Sequence, residues 1–307
     1  MKKMGNNIII GVDHGYGYIK SAGTIFKSGV EELPIKPPFM EDILELKNRT
    51  FVVGQIRNEH PSDKTKTDEY YNLTLVSLAK ELKCNGMTES KNVILAAGLP
   101  YSFFSAQKDQ FKEYLLKKKT LNFSNGGTFS YEGEKYHIEL KDVHVYPQGL
   151  PVLAKELDKY KDKTISVVDI GSRTIDFITY RKGRPFYNEC FSQDKKGTLD
   201  CIDLVTKNFL AKFQEKIDEE DIQCIMQKES CSLNPNQVTF VKEIIKFYVK
   251  DVLKLIDSKL NGSILICGGG ASVIKNYAGK LRSGIEINDD IFCNARGFEI
   301  LSANRLK

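Results

Sequence analysis

Val167-Val168-Asp169-Ile170-Gly171-Ser172-Arg173-Thr174-Ile175-Asp176-Phe177 decides how the rest of the chain is read. A β-branched apolar run ends in an aspartate, a turn of small residues follows, and a second apolar run returns. The pattern predicts a strand, a tight turn and an antiparallel return strand. Successive backbone N–H groups in such a turn form a concavity that suits phosphate. The neighbouring carboxylate suits a hydrated divalent cation, which prefers oxygen ligands and keeps its waters. A single copy carries little weight, because small-residue hairpins are common.

A second copy stands near the start, Ile8-Ile9-Ile10-Gly11-Val12-Asp13-His14-Gly15-Tyr16-Gly17-Tyr18-Ile19-Lys20. It repeats the order of apolar strand, aspartate, glycine-bearing turn and return strand. Two such hairpins far apart predict two related halves, each offering one phosphate turn and one carboxylate.

Composition sets bounds. The 307 residues suffice for two domains or one large two-lobed unit, and an apolar content of 41% supplies a core. A net charge of +5 on abundant charge of both signs reads as a solvated surface, not a nucleic-acid footprint. No apolar run approaches a membrane span. Met1-Lys2-Lys3-Met4-Gly5-Asn6-Asn7 is not followed by a signal core and cleavage site, so the cytoplasm is the expected compartment. The seven cysteines are odd in number and show no C-x-x-C pair, which predicts reduced thiols and no zinc site. His14, inside the first turn, is expected to matter through its backbone and not as a base.

Along the chain, strands are expected over 7–13, 19–21 and 24–27, with Pro34, Pro37 and Pro38 leading out of that sheet. A hairpin at 43–54, a polar loop at 57–68 and a helix at 70–82 follow, and 38–82 reads as a small insert above the first lobe. A buried strand, 93–99, precedes a helix capped by Ser105 and running to Lys119. A hairpin over 129–140, a strand at 143–146 and a helix from Pro147 to about Tyr160 complete a first lobe of 1–160. The second lobe, 161–290, opens with the meander 164–169, 174–180 and 185–191. Helices near 197–210, 219–227 and 236–260, a strand at 264–267 and a helix at 272–281 follow. A closing helix over 291–307 is expected to pack back on the first lobe. Strand–helix alternation throughout makes the fold α/β. Gly268-Gly269-Gly270, between the strand at 264–267 and a helix, forms a third small-residue loop. Its glycines allow close approach of a base or phosphate.

The order of these motifs resembles the actin, 70-kilodalton heat-shock chaperone and sugar-kinase superfamily. Asp13 to Lys20 resembles its first phosphate loop and Val145-Tyr146-Pro147-Gln148-Gly149 its first connecting segment. Asp169 to Asp176 resembles the second phosphate loop, Cys267-Gly268-Gly269-Gly270-Ala271 the adenosine loop, and Asn294-Ala295-Arg296-Gly297-Phe298 the second connecting segment. Within it, Gly98-Leu99-Pro100 with Gln107-Lys108, the 294–298 segment and the overall length are similar to the ParM (StbA) branch of plasmid-segregation actins.

The resemblance implies an actin-like bilobal fold, two RNase H-like lobes around a nucleotide cleft. It implies that Asp13 and Asp169 hold Mg²⁺ through water. Gly15, Tyr16 and Gly17 would cradle the β- and γ-phosphates from one side, with Lys20 adding a point charge. Gly171, Ser172 and Thr174 would cradle them from the other, and Gly268, Gly269 and Gly270 would border the adenosine. Gln148 would orient the attacking water, as glutamines do in other nucleotide hydrolases. Many ParM-type proteins carry glutamate there, whereas actin carries glutamine. Tyr16 and the Ser172-Arg173 pair also depart from the commoner loop residues, and Arg173 is expected to face outward. The implied function is an ATPase that polymerises with ATP and Mg²⁺ and segregates plasmid DNA. Its partners would be further copies of itself and a ParR-like centromere-binding adaptor protein, with DNA touched only indirectly and no membrane. No residue reads the purine edge, so GTP stays open beside ATP. The rival readings are a small-molecule kinase on the same fold, for which no general base stands out, and a chaperone or cell-shape protein. The last would call for a peptide-binding domain or a terminal membrane helix.

Overall fold

The computed structural model describes residues 1–58, 63–117, 127–155 and 157–307. In chain order, β1 is Lys2–Met4, β2 Asn7–His14, β3 Tyr18–Lys20, β4 Ile25–Lys27, β5 Val30–Leu33, β6 Ile43–Leu46 and β7 Arg49–Val53. Then come α1 Glu69–Lys83, β8 Glu89–Leu99, α2 Tyr101–Lys117, β9 Gly127–Tyr131 and β10 Glu134–Pro147. A 3₁₀ segment, Leu150–Lys155, and the short α3, Leu157–Tyr160, follow. Next are β11 Thr164–Ile170, β12 Thr174–Arg181, β13 Arg184–Pro185, β14 Phe191–Asp194, α4 Thr198–Phe213, α5 Glu219–Gln227 and α6 Pro235–Lys259. β15 Ser263–Cys267, α7 Ala271–Tyr277, β16 Ile285–Ile287 and α8 Cys293–Arg305 complete the chain. The protein divides into two compact units, Met1–Lys155 with Phe292–Lys307, and Glu156–Ile291.

In the first unit a ten-stranded sheet runs β4-β3-β2-β8-β10-β9-β6-β7-β5, with β1 pairing β2. Its centre is parallel: Ile8 pairs with Val93 and Val12 with Ala97, while Val143 pairs with Leu95. Both faces of this centre are covered, so β2 is apolar without alternation, as parallel strands are. Ile10 and Val12 join the core that includes α1, whereas Ile9 packs with Ile94, Ala96, Phe298 and Ala303 on the α8 side. α8 lies so near the sheet that a side chain at Gly11 would overlap the Ala295 carbonyl, and one at Gly98 would overlap the Phe298 ring. The segment read as an insert is continuous with this sheet: β6 pairs β9, and α1 packs on β2, β3, β5 and β7.

In the second unit a six-stranded sheet runs β13-β12-β11-β15-β16, with β14 also pairing β12. α4 to α7 bury an apolar face on it, including Val205, Phe209, Val241, Ile245, Val252 and Ile274. A burial pattern of this kind, about 25 cal/mol per Å² of apolar surface, supplies most of the stabilisation of such a unit.

Several elements differ from the sequence-based expectation. β1, β5 and β16 are additional strands. α2 starts at Tyr101, not at a Ser105 cap, because Pro100 fixes a helix-ready backbone and its carbonyl accepts the Phe103 N–H at 3.1 Å. The end of the expected 105–119 helix lies outside the described residues, as does part of the 57–68 loop. The helix expected from Pro147 is a 3₁₀ segment and one short helix, since Gly149 sits at φ +79° and Pro151 has no N–H to give. α7 stops at Tyr277, two residues before Gly279 at φ +68°. The strand expected over 185–191 is broken by a 3₁₀ turn, Tyr187–Glu189.

Gly11→Ala places a methyl group against the Ala295 carbonyl, and the helix must shift to admit it. We expect a loss of about 1–3 kcal/mol, read as a lower urea midpoint. Gly133→Ala, where nothing surrounds the added carbon, is the control, although its φ of +79° itself adds some strain.

Candidate functional site

The first hairpin places Asp13 at the carboxyl end of β2, across from Lys20 on β3. In parallel sheets ligands bind beyond these strand ends. Asp13 is 6% exposed and Gln148 9%. The Gln148 side chain donates through Nε2 to Asp13 Oδ1 at 2.5 Å. An amide in that orientation is required, because its oxygen would repel the carboxylate. Two backbone bonds hold Gln148 in place: its own N–H donates to the Leu99 carbonyl at 2.8 Å, and the Gly149 N–H donates to Asn294 Oδ1 at 3.0 Å. Three chain segments therefore converge on one carboxylate.

The turn 15–17 is shaped by its carbonyls. Tyr16 C=O accepts the Ser28 hydroxyl at 2.5 Å, and Gly17 C=O accepts the Ser28 N–H and Arg57 Nε, both at 3.2 Å. A trans peptide sets C=O and N–H on opposite sides, so the Gly17 N–H points away from Ser28. The Lys20 side chain makes no hydrogen bond or ion pair with a described residue. Behind the turn, Lys64 is 1% exposed, donates to the His14 carbonyl and lies 5.3 Å and 5.0 Å from the ring centres of Tyr16 and Tyr70. Sequence reasoning missed Lys64, since a lysine in a polar loop carries no sign of burial.

His14 is fully buried, shares a hydrogen bond with Thr74 Oγ1 at 2.8 Å and meets the Phe111 ring edge-on at 5.4 Å. Burial, and next the nearby Lys64 charge, push its pKa down to about 3. It is a neutral core residue and no base near neutral pH.

In the second unit β11 and β12 set Asp169 opposite Asp176, and β15 sets Cys267 beside Asp169. Asp169 is 6% exposed. Gly268 adopts φ +86°, and any side chain there would strike Asp169 Oδ1. Gly270 N–H donates to the Ile170 carbonyl at 2.9 Å, so the glycine loop and the second hairpin are bonded together. The turn also braces α4: Thr198 and Leu199 N–H groups donate to the Gly171 and Ser172 carbonyls at 3.0 Å and 2.8 Å. Gly197 at the helix start makes room for this, because a side chain there would overlap Ser172. The Gly171 N–H closes the hairpin on the Thr174 carbonyl at 2.9 Å. Gly171 thus shapes the turn, its N–H being spent within the hairpin. Arg173 turns to α4, bonding Asp200 at 3.0 Å and Asp203 at 2.5 Å.

The sequence matches two family models, the actin-like proteins N-terminal domain over residues 11–150 and the archaeal actin homologue MreB-like C-terminal domain over 167–278. The chain has the actin-like fold. Solved structures agree in fold. An archaeal actin homologue in complex with ADP is 19% identical, with a TM-score of 0.74 over 98% of this chain and 100% of that one. A 15-stranded ParM filament from Clostridium botulinum is 17% identical, with a TM-score of 0.75 over 98% and 99%. Bacillus thuringiensis ParM with ATP is 17% identical, with a TM-score of 0.67 over 98% and 100%. No curated protein sequence matches the chain. Among the described residues of this actin-like protein, no helix is long and apolar enough to cross a membrane.

The buried His14 gives a pH dependence with a definite sign. The unfolded chain takes up a proton below about pH 6.5, whereas the folded chain holds His14 neutral down to about 3. Stability supplied by neutral His14 is therefore lost as pH falls through that window, by at most about 1.4 kcal/mol per pH unit. His144, lowered first by burial and then by Arg305, acts in the same direction. We expect His14→Gln to flatten the fall of the urea midpoint between about pH 6.5 and about pH 4.5.

Proposed function

We propose that this actin-like protein binds ATP with Mg²⁺, polymerises into filaments, hydrolyses the nucleotide and thereby segregates plasmid DNA through a ParR-like adaptor protein. The observation that carries the reading is the Gln148 amide held against buried Asp13 at the ends of parallel strands. Asp13 and Asp169, each a carboxylate at a strand end, are the hard oxygen donors a magnesium ion that keeps its waters would take, and the wrong donors for a soft metal. When bound, that ion would neutralise phosphate charge. Gly15, Tyr16 and Gly17 with Lys20, and Ser172 and Thr174 on the second turn shaped by Gly171, would hold the phosphates. Gly268, Gly269 and Gly270 would border the adenosine. Gln148 would orient the attacking water through its amide, which cannot itself take the proton.

The solved relatives include a ParM filament and structures with ADP and ATP, which supports both assembly and nucleotide binding. The cytoplasm is the proposed compartment and DNA is reached only through the adaptor, in keeping with a net charge of just +5.

Light scattering and electron microscopy with ATP or GTP and Mg²⁺ test assembly. Filaments are expected with ATP; a solution that stays clear at high protein concentration with either nucleotide would overturn the reading. Gln148→Ala should slow phosphate release by about tenfold or more and leave nucleotide-dependent assembly in place. Asp169→Ala should weaken nucleotide binding itself, seen as loss of the nucleotide-dependent thermal shift.

A further inference from the structure

α6 faces the core with Val241, Ile245, Val249, Val252 and Ile256. Its exposed side carries Lys242, Lys246, Lys250 and Lys254, one at every fourth residue. Residues four apart on a helix are neighbours, and like charges in those places repel one another. None of the four side chains makes an ion pair or hydrogen bond with a described residue. The helix's own aspartates are engaged elsewhere, Asp251 with Lys196 and Asp257 with Arg282. Glu243 is the one further acid among them.

The row starts at a surface pocket of about 450 Å³ between α5, α6 and α7. Ile225, Val238 and Tyr277 give it apolar walls, and Lys228, Lys242 and Lys246 line it too. Phe247, next to Lys246, is 67% exposed. The pocket borders the carboxyl end of α7, at Asn276 and Tyr277, whereas Gly268 to Gly270 precede its amino end. It is therefore separate from the residues assigned to nucleotide.

We propose that this face binds an acidic peptide segment of a partner protein. The segment's carboxylates would follow the lysine row, and one bulky apolar side chain would fill the pocket. Charge complementarity selects an anion. The apolar walls select a polypeptide over duplex DNA, whose backbone would satisfy the lysines but has no apolar side chain to insert. Glu229 in the pocket and Glu243 on the helix disfavour a continuous polyanion further. The inference stands apart from filament assembly and nucleotide hydrolysis.

The test is fluorescence anisotropy with a labelled peptide of aspartates and glutamates around a single phenylalanine. The comparison probes are the same peptide with alanine in place of phenylalanine, a labelled DNA duplex, and phosphatidylserine vesicles. The phenylalanine peptide should bind, less tightly as salt rises. The paired change Lys242→Glu and Lys246→Glu should weaken it by about tenfold with the melting temperature unchanged, and loss of the phenylalanine should weaken it several-fold. Lys250→Glu with Lys254→Glu, farther from the pocket, should have a smaller effect, and nucleotide affinity should be unmoved by either pair. The proposal fails if the phenylalanine peptide does not bind or binds the Lys242→Glu, Lys246→Glu protein equally well. It also fails if duplex DNA or vesicles bind through these lysines more tightly than the peptide.

Discussion

The first unit depends on how closely α8 can approach the sheet. Gly11 and Gly98 leave the space that the Ala295 carbonyl and the Phe298 ring occupy. The Gly11 N–H also donates to Glu299 Oε1 at 3.1 Å, so the helix is bonded to the strand as well as packed on it. Burial raises the Glu299 carboxyl above its ordinary value, against the opposing pull of the Met1 amino group and the Gly11 N–H. That docking has a consequence at the other end of β2. It sets Asn294, Asn294 holds the Gly149 N–H, and the fixed 148–149 backbone aims the Gln148 amide at Asp13. Asn294 thereby helps to set a side-chain contact at Asp13, far from it in sequence.

The second unit solves the same problem with a helix start. The first N–H groups of a helix have no partner within it and must find acceptors. In α4 the Gly171 and Ser172 carbonyls provide two of them. The turn beside Asp169 is held by that bonding and by Arg173 bridging to Asp200 and Asp203. The bracing comes from backbone bonds and from Arg173 on the turn itself. Gly268 contributes by the same logic, since only a residue without a side chain can sit against Asp169 Oδ1 at φ +86°.

Much of this was legible in the sequence because it is local. Both hairpins, α1, α5 and α6 follow from apolar periodicity and fall within a residue or two of their expected bounds. The Gly268-Gly269-Gly270 loop follows from its place between a buried strand and a helix. What escaped is non-local. β5 is two acids between Val30 and Leu33, and only its pairing with β7 makes it a strand. β16 is three residues long and is defined by β15. Lys64 is buried by elements that precede and follow it, and its neighbours in sequence are polar. The bond from Gln148 to Asp13 spans 135 positions, and no periodicity links residues so far apart.

The amide at position 148 matters in its own right. With the donor nitrogen 2.5 Å from Asp13 Oδ1, the pair is a hydrogen bond from an amide N–H to a carboxylate oxygen. A glutamate in the same place would set two carboxylates in contact, and like charges that close cannot both stay ionised without moving apart or sharing a proton. A chain with glutamate there must therefore either draw the side chain back from Asp13 or share a proton with it. Glutamine permits the contact seen here, in which one end of the amide is spent on orienting the carboxylate and the carbonyl oxygen is left as an acceptor. An amide oxygen is suited to position a water molecule and unsuited to deprotonate it. An amide at position 148 can therefore orient a neighbouring group but cannot take a proton from it.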